Sequence, residues 1–330
     1  MTGRALSTFA HRIFLNDMAL DTESFLMTNL NDLMERHVST GGFANEMGGA
    51  PQAEATAWAL CILQHQHRGQ RTAPFHSDHT FLKSRQLEDG RVPIAPNHPE
   101  AVWPTPLAIL AWHGSSEYRP QQDRAIQFLL TQYGHHWTRD PEQDDSVVAH
   151  DPSLHGWPWI SHTHSWVSPT THAMLALTIT GHGEHERVQE GAEMLIDRQL
   201  PHGGWNYGNT FVWGQELRPF PETTGMTLNA LAGRVPRSRI SRSLDYLLLQ
   251  LPDLQTPLAL GWTLLGLSAW SIHPAQKSAL ITRCLQQQER YGPYMTSAYC
   301  LLLAAAIATM GLESLFDMSN SSQHATLGNT

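Results

Sequence analysis

The sequence predicts an all-α fold, an (α/α)6 toroid of six inner and six outer helices. Three observations predict it. Six segments align on a threonine: "EATAWAL" from Glu54, "PTPLAIL" from Pro104, "PTTHAML" from Pro169, "ETTGMTL" from Glu222, "QTPLALG" from Gln255 and "MTSAYCL" from Met295. Each continues into residues apolar on every side, the mark of a helix surrounded by others. Between these segments lie helices with a single apolar stripe, so buried and amphipathic helices alternate around one closed unit. No strand-like alternation and no linker oppose this, because closing the ring uses every hairpin.

The elements follow in order. The first outer helix, 22–37, carries its stripe on Leu26, Leu30, Leu33 and Met34. The second is 75–87. The third, 120–133, uses Ile126, Leu129, Leu130 and Tyr133. The fourth, 185–199, uses Val188, Ala192 and Leu195, and the fifth, 237–251, uses Ile240, Leu244, Leu247, Leu248 and Leu251. The sixth is 274–289. In the inner helices, Thr56, Thr105, Thr170, Thr223, Thr256 and Thr296 are expected as N-caps, whose hydroxyls accept from first-turn N–H groups. Pro106 and Pro257 suit the helix start that follows. The toroid is expected over 22–315, with an arm over 1–21, an insertion loop over 134–167 and a disordered polar tail over 316–330.

Composition narrows the partners. Hydrophobic residues make up 41% and charged residues 15% of the 330, enough for a large core. Net charge is −9 with no basic cluster, which argues against nucleic acid. Cys61, Cys284 and Cys300 are far apart and lie in helical patterns. They are expected as buried free thiols of a reducing compartment. No secretory signal is visible, so a cytoplasmic location is expected.

A second motif closes the outer helices. Gln199, Gly203 and Trp205 recur as Gln288, Gly292 and Tyr294, then more weakly as Gln86, Gly90 and Val92, and as Gly41 and Phe43. Gly can end the helix at positive φ. The Gln amide can bridge to the next helix, and the ring can pack over the joint. This Gln-x-x-x-Gly-x-Trp pattern, followed by an inner helix opening on Glu or Pro and Thr, resembles the squalene cyclase and prenyltransferase β-subunit superfamily. The segments "GWPWISHTHSWVSPTTHAMLAL" and "GGWNYGN…PETTGMTLNAL" are closest to squalene–hopene cyclase repeats. The resemblance spans roughly 22–310 and implies the toroid; this chain has room for one barrel.

For activity, the resemblance implies one of two chemistries. Class II cyclases protonate an alkene or epoxide from an Asp-x-Asp-Asp motif, which would fall here at Trp166-Val167-Ser168-Pro169, where no carboxylate stands. Zinc-dependent prenyl transfer would need an Asp-x-Cys element, which is absent.

The residues offer other candidates. The insertion holds Glu142-Gln143-Asp144-Asp145. Asp144 or Asp145 could act as acid or hold a diphosphate through Mg²⁺; the alternative is a solvated loop pair. His162 and His164 with Asp151 could ligate a metal or simply hydrogen-bond. His172, one turn into a buried helix, is either an acid–base group on the cavity or a satisfied core histidine. Glu222 complements a helix N-terminus or serves as acid, and Glu54, in the matching place, suits the dipole role. Trp58, Trp103, Trp157, Trp159, Trp166, Tyr207, Trp213 and Trp262 crowd the helix openings, where aromatic faces can stabilise carbocations.

The expected function is therefore an isoprenoid- or polyene-handling enzyme, a class II-like terpenoid cyclase or isomerase protonating its substrate in an apolar cavity. Its partner is a hydrophobic isoprenoid-like small molecule, with peripheral membrane contact in prospect. The alternative is a non-catalytic toroid that binds a lipid or a protein. A polysaccharide lyase or hydrolase would need a polar open cleft.

Overall fold

A helix apolar all round must be surrounded, and six such helices form the centre of this molecule. The computed structural model describes residues 22–67, 75–138, 142 and 149–317. Along the chain come α1 (Thr22–Met34), α2 (Ala53–Gln66), α3 (His76–Arg85), α4 (Pro104–Trp112), α5 (Arg119–Thr131) and α6 (Val167–Leu177). Then follow α7 (Glu186–Asp197), α8 (Pro221–Leu231), α9 (Arg237–Gln250), α10 (Pro257–Ala269), α11 (Lys277–Gln286), the short α12 (Gln288–Tyr291) and α13 (Thr296–Ile307). Every residue of α4 is buried, as is nearly all of α10.

The six buried helices contact one another in the order α2, α4, α6, α8, α10, α13, and α13 packs back on α2. The amphipathic helices sit outside: α3 touches α2 and α4, α9 touches α8 and α10, and α11 touches α10 and α13. The tightest approach is between α8 and α10. A Cβ on Gly266 would come within 2.5 Å of the Gly225 carbonyl oxygen, so these two glycines let the backbones touch. Leu33, Ile126, Leu129, Val188, Leu195, Ile240, Leu244 and Leu247 all point inward. Met34, Tyr133 and Leu248, at the edge of the expected stripes, are exposed.

The threonine column has a different role from the one expected. Only Thr256 is an N-cap, accepting from Ala259 N–H. Thr56, Thr105 and Thr170 lie inside the first turns, and each binds the residue thirteen before it. Thr56 Oγ1 accepts from Phe43 N–H at 2.8 Å, Thr105 from Val92 N–H at 2.9 Å and Thr170 from Trp157 N–H at 2.9 Å. Each hydroxyl then donates to the same residue's carbonyl. In α8 this place belongs to Thr224, which accepts from Trp205 N–H at 2.9 Å, while Thr223 donates to the Trp205 carbonyl. The threonine thus clamps the aromatic joint onto the inner helix.

The joints also tie successive outer helices. Gln86 Nε2 donates to the Gln121 carbonyl of α5, and Gln199 Nε2 to Ser243 Oγ of α9. Gly203 has φ +96°, and a Cβ there would meet the backbone of Arg242 in α9. Gly41, Gly90 and Gly292 share the positive φ.

Three further features were not expected. A hairpin, β1 (Phe211–Val212) with β2 (Gln215–Glu216), turns on Trp213 and Gly214, both at positive φ as a type I′ turn needs. The end of α6 relaxes into a π turn at Thr178–His182. Finally, Leu312–Leu315 form a 3₁₀ turn whose leucines are buried, and Phe316 packs on His113. Gly311 N–H donates to Ser268 Oγ and Leu312 N–H to Asn229 Oδ1, fastening this turn over the C-terminal ends of α8 and α10. The three cysteines are free and buried.

Candidate functional site

The first two turns of the inner helices surround a cavity of about 540 Å³. Each helix supplies a pair four residues apart: Glu54 and Trp58, Trp103 and Leu107, Ser168 and His172, Glu222 and Met226, Leu258 and Trp262, Ser297 and Leu301. Residues i and i+4 stack on one helix face. The cavity therefore has two tiers, a mouth tier and one about 6 Å deeper at the usual rise per residue. Tyr207, Leu258 and Met295 line it and are 52%, 45% and 55% exposed, so it opens to solvent at the helix N-termini.

The deep tier is apolar and aromatic apart from His172. Trp262 stands edge-on to Trp58 at 6.1 Å and to His172 at 5.4 Å, joining α2, α6 and α10 across the floor. His172 Nδ1 lies 2.8 Å from the Ser168 carbonyl. A carbonyl only accepts, so Nδ1 carries the proton and Nε2 a lone pair. Burial lowers the His172 pKa, with the Ser168 bond opposing.

At the mouth, Trp103 Nε1 donates to Glu54 Oε2 at 3.4 Å, and Trp103 meets Trp159 edge-on at 5.5 Å. Burial raises the Glu54 pKa, only partly offset by the indole bond. The sequence points Glu54 to a dipole role and does not show this environment. The signal was present: Glu54, Ser168 and Glu222 each stand two residues before Thr56, Thr170 and Thr224, the clamping threonines.

Of the sequence candidates, the structure brings Glu222, His172, Trp58, Trp103, Trp159, Tyr207 and Trp262 together around the cavity. Trp159 comes from the insertion, whose backbone pairs with the segment just before α4 through Val102 N–H and the Trp159 carbonyl. Trp157 lies elsewhere. It is the aromatic of the third joint, fully buried, its indole donating to the Leu129 carbonyl and its ring under Arg187. Trp166 precedes α6 and packs against His164. Trp213, at the hairpin tip, is 79% exposed. Asp144 and Asp145 lie outside the described residues.

The insertion histidines form a separate cluster. His136 contacts His155 and His164, while His164 Nε2 lies 3.2 Å from the Arg198 guanidinium. His162 is exposed at φ +64°. Among the described residues, no three His, Cys, Asp or Glu side chains are placed to hold a metal ion.

No family model matches the chain, and no curated protein matches it. Solved structures do. A protein from Actinoplanes superposes with TM-score 0.57 at 15% identity, over 87% of this chain and 100% of its own. The type II terpene cyclase MstE from Scytonema, in complex with its substrate geranylgeranyl dihydroxybenzoate, gives 0.55 at 14% identity over 90% and 98%. A second variant of that complex gives 0.55 at 15% over 90% and 99%. The fold of this chain is that of a terpenoid cyclase, as its joint motif implies.

Proposed function

We propose that this chain is a closed (α/α)6 toroid whose central cavity takes an isoprenoid or polyene chain and isomerises or cyclises it by protonation, in the manner of a class II cyclase. The observation that carries this reading is the two-tier cavity: carboxyl groups at the mouth, aromatic rings on the floor. Its volume lies in the range of small-molecule sites. Aromatic quadrupoles favour a cation that water would quench, and apart from His172 the floor is lined by aromatic and aliphatic side chains. The fold likeness to a cyclase that binds a geranylgeranyl compound supports the substrate class. Glu222 and His172 remain candidate acid–base groups, and a diphosphate on the substrate would bring Mg²⁺ to Asp144 or Asp145. Among the described residues no helix is long and apolar enough to cross a membrane; the exposed apolar side chains at the mouth support peripheral contact with one.

The test is incubation of the purified protein with squalene and prenyl diphosphates from farnesyl upward, with and without Mg²⁺. A new hydrocarbon or cyclic product is expected. If every substrate returns unchanged, and Asp144→Ala and Glu222→Ala have no effect in cells, the reading fails. The serine at position 168, where the family motif would have an acid, favours a second reading, a toroid that retains a lipid without turnover. Native mass spectrometry of protein from its own host separates the two: an unaltered co-purifying lipid would support binding alone.

A further inference from the structure

We infer that the proton is given by Glu54 and taken up by His172, two groups on one cavity, one in each tier. The inference rests on the reading of the cavity as a site of protonation.

Three observations lead to it. First, among the described residues five titratable side chains line the cavity, Glu54, Glu222, His172, Tyr207 and Tyr294, and no Lys, Arg or Asp does. The Tyr294 hydroxyl is already engaged, donating to the Cys284 carbonyl at 2.6 Å. Second, Glu54 is held by one indole N–H, and no Lys or Arg among the described residues forms an ion pair with it. A carboxyl in low dielectric with a single weak donor favours its neutral form, so it can donate. Third, the His172 Nδ1 proton is committed to Ser168, and Nε2 has no hydrogen-bond partner among the described residues. Burial holds the ring neutral, so Nε2 can accept. Environments that keep a carboxyl protonated and an imidazole neutral at one pH define an acid and a base.

The step balances within the substrate and these two residues. The Glu54 proton adds to an alkene carbon, the π pair forming the C–H bond and leaving a tertiary cation and a carboxylate. A neighbouring alkene supplies the pair for a C–C bond. His172 Nε2 removes a proton beside the final cation, and that C–H pair becomes the new alkene. The imidazolium and the carboxylate then exchange the proton through solvent at the open mouth, and the net reaction is an isomerisation.

Three variants and one spectroscopic measurement test this. Glu54→Gln should reduce turnover by about 10²–10⁴-fold, the usual contribution of a general acid, while substrate binding by native mass spectrometry stays within a few-fold. Glu54→Asp should recover part of the rate. His172→Gln should still consume substrate but change how the reaction ends, giving mixed alkenes or a water-quenched alcohol. In carbon-13 NMR of glutamate-labelled protein, one side-chain carboxyl should titrate above the others and vanish in Glu54→Gln. A wild-type rate in Glu54→Gln, an unchanged single product from His172→Gln, or a Glu54 carboxyl titrating with the exposed glutamates would overturn the assignment and leave the cyclase reading standing. Absence of turnover in the wild-type protein would instead remove both.

Discussion

At the residue scale, burial decides which ionisable groups can work and which limit stability. His79 accepts from Gln64 Nε2 at 3.0 Å and stacks on Tyr118 at 4.9 Å. Burial, with the charge of His76 second, lowers its pKa to about 4 from 6.5. The sign follows from proton counts. Below pH 6.5 the unfolded chain binds a proton that folded His79 refuses, so stability falls as pH drops from 6.5 toward 4. His136, lowered to about 4 chiefly by burial, acts in the same direction. Urea unfolding midpoints measured from pH 7 down to 5 should therefore decrease, and His79→Gln should flatten the trend. An identical slope in that variant would show that His79 is not responsible. Trp262 presents a different balance. It is 1% exposed yet forms the cavity floor. Trp262→Ala should cost about 3–5 kcal/mol, as large-to-small core changes do, and should let the cavity retain bulkier hydrocarbons in native mass spectrometry.

At the scale of elements, the clamped joint explains why the helices alternate as they do. A threonine one turn into each of several inner helices satisfies both backbone groups of a buried aromatic residue, and the Gln and Gly before it fix the next outer helix. Thr170→Val keeps the shape but leaves the Trp157 N–H and carbonyl without that partner. A loss of about 1–3 kcal/mol is expected by chemical denaturation, the cost of an unsatisfied buried group. Gly266→Ala tests the α8–α10 approach. Its Cβ would sit 2.5–3.0 Å from Gly225 backbone atoms, so the helices must part. Overpacking of this kind costs about 1–3 kcal/mol, and the displaced α10 should also loosen Trp262. Much of this was legible in advance, because the joint spacing and the threonine column are local. The register in α8 was not. Thr223 and Thr224 are adjacent in the sequence, and only the bond to Trp205 N–H shows that Thr224 is the counterpart of Thr56 and Thr170.

On the scale of the whole molecule, the ring closes where its first and last hairpins meet. Arg36, buried beside Tyr299, donates to the carbonyls of Asn45 and Tyr294 and to Thr296 Oγ1. Thr296 in turn donates to the Ala44 carbonyl, and Tyr299 OH donates to Asn29 Oδ1 at 2.7 Å. Apart from the bond to Asn45, these join residues more than two hundred positions apart. Arg36→Met should remove at least one charge-assisted bond worth about 1.5–3 kcal/mol. Amide hydrogen exchange should then rise first in α1, α2 and α13; a uniform rise would mean that the seam is no weaker than the rest.

The amino-acid sequence by itself determined the helices, their alternation, the joints and the class of fold, because periodicity, glycine and the threonine column act over one or two turns of chain. Tertiary structure alone decided which side chains share the cavity. Trp157 and Trp159 are two residues apart, yet one is sealed in a joint and the other stands at the mouth. Glu54 and His172 are far apart in the chain and line one space, because six helices converge with their N-termini at the same end. Burial raises the pKa of one and lowers that of the other, and burial depends on what surrounds a residue in space, which no local pattern records.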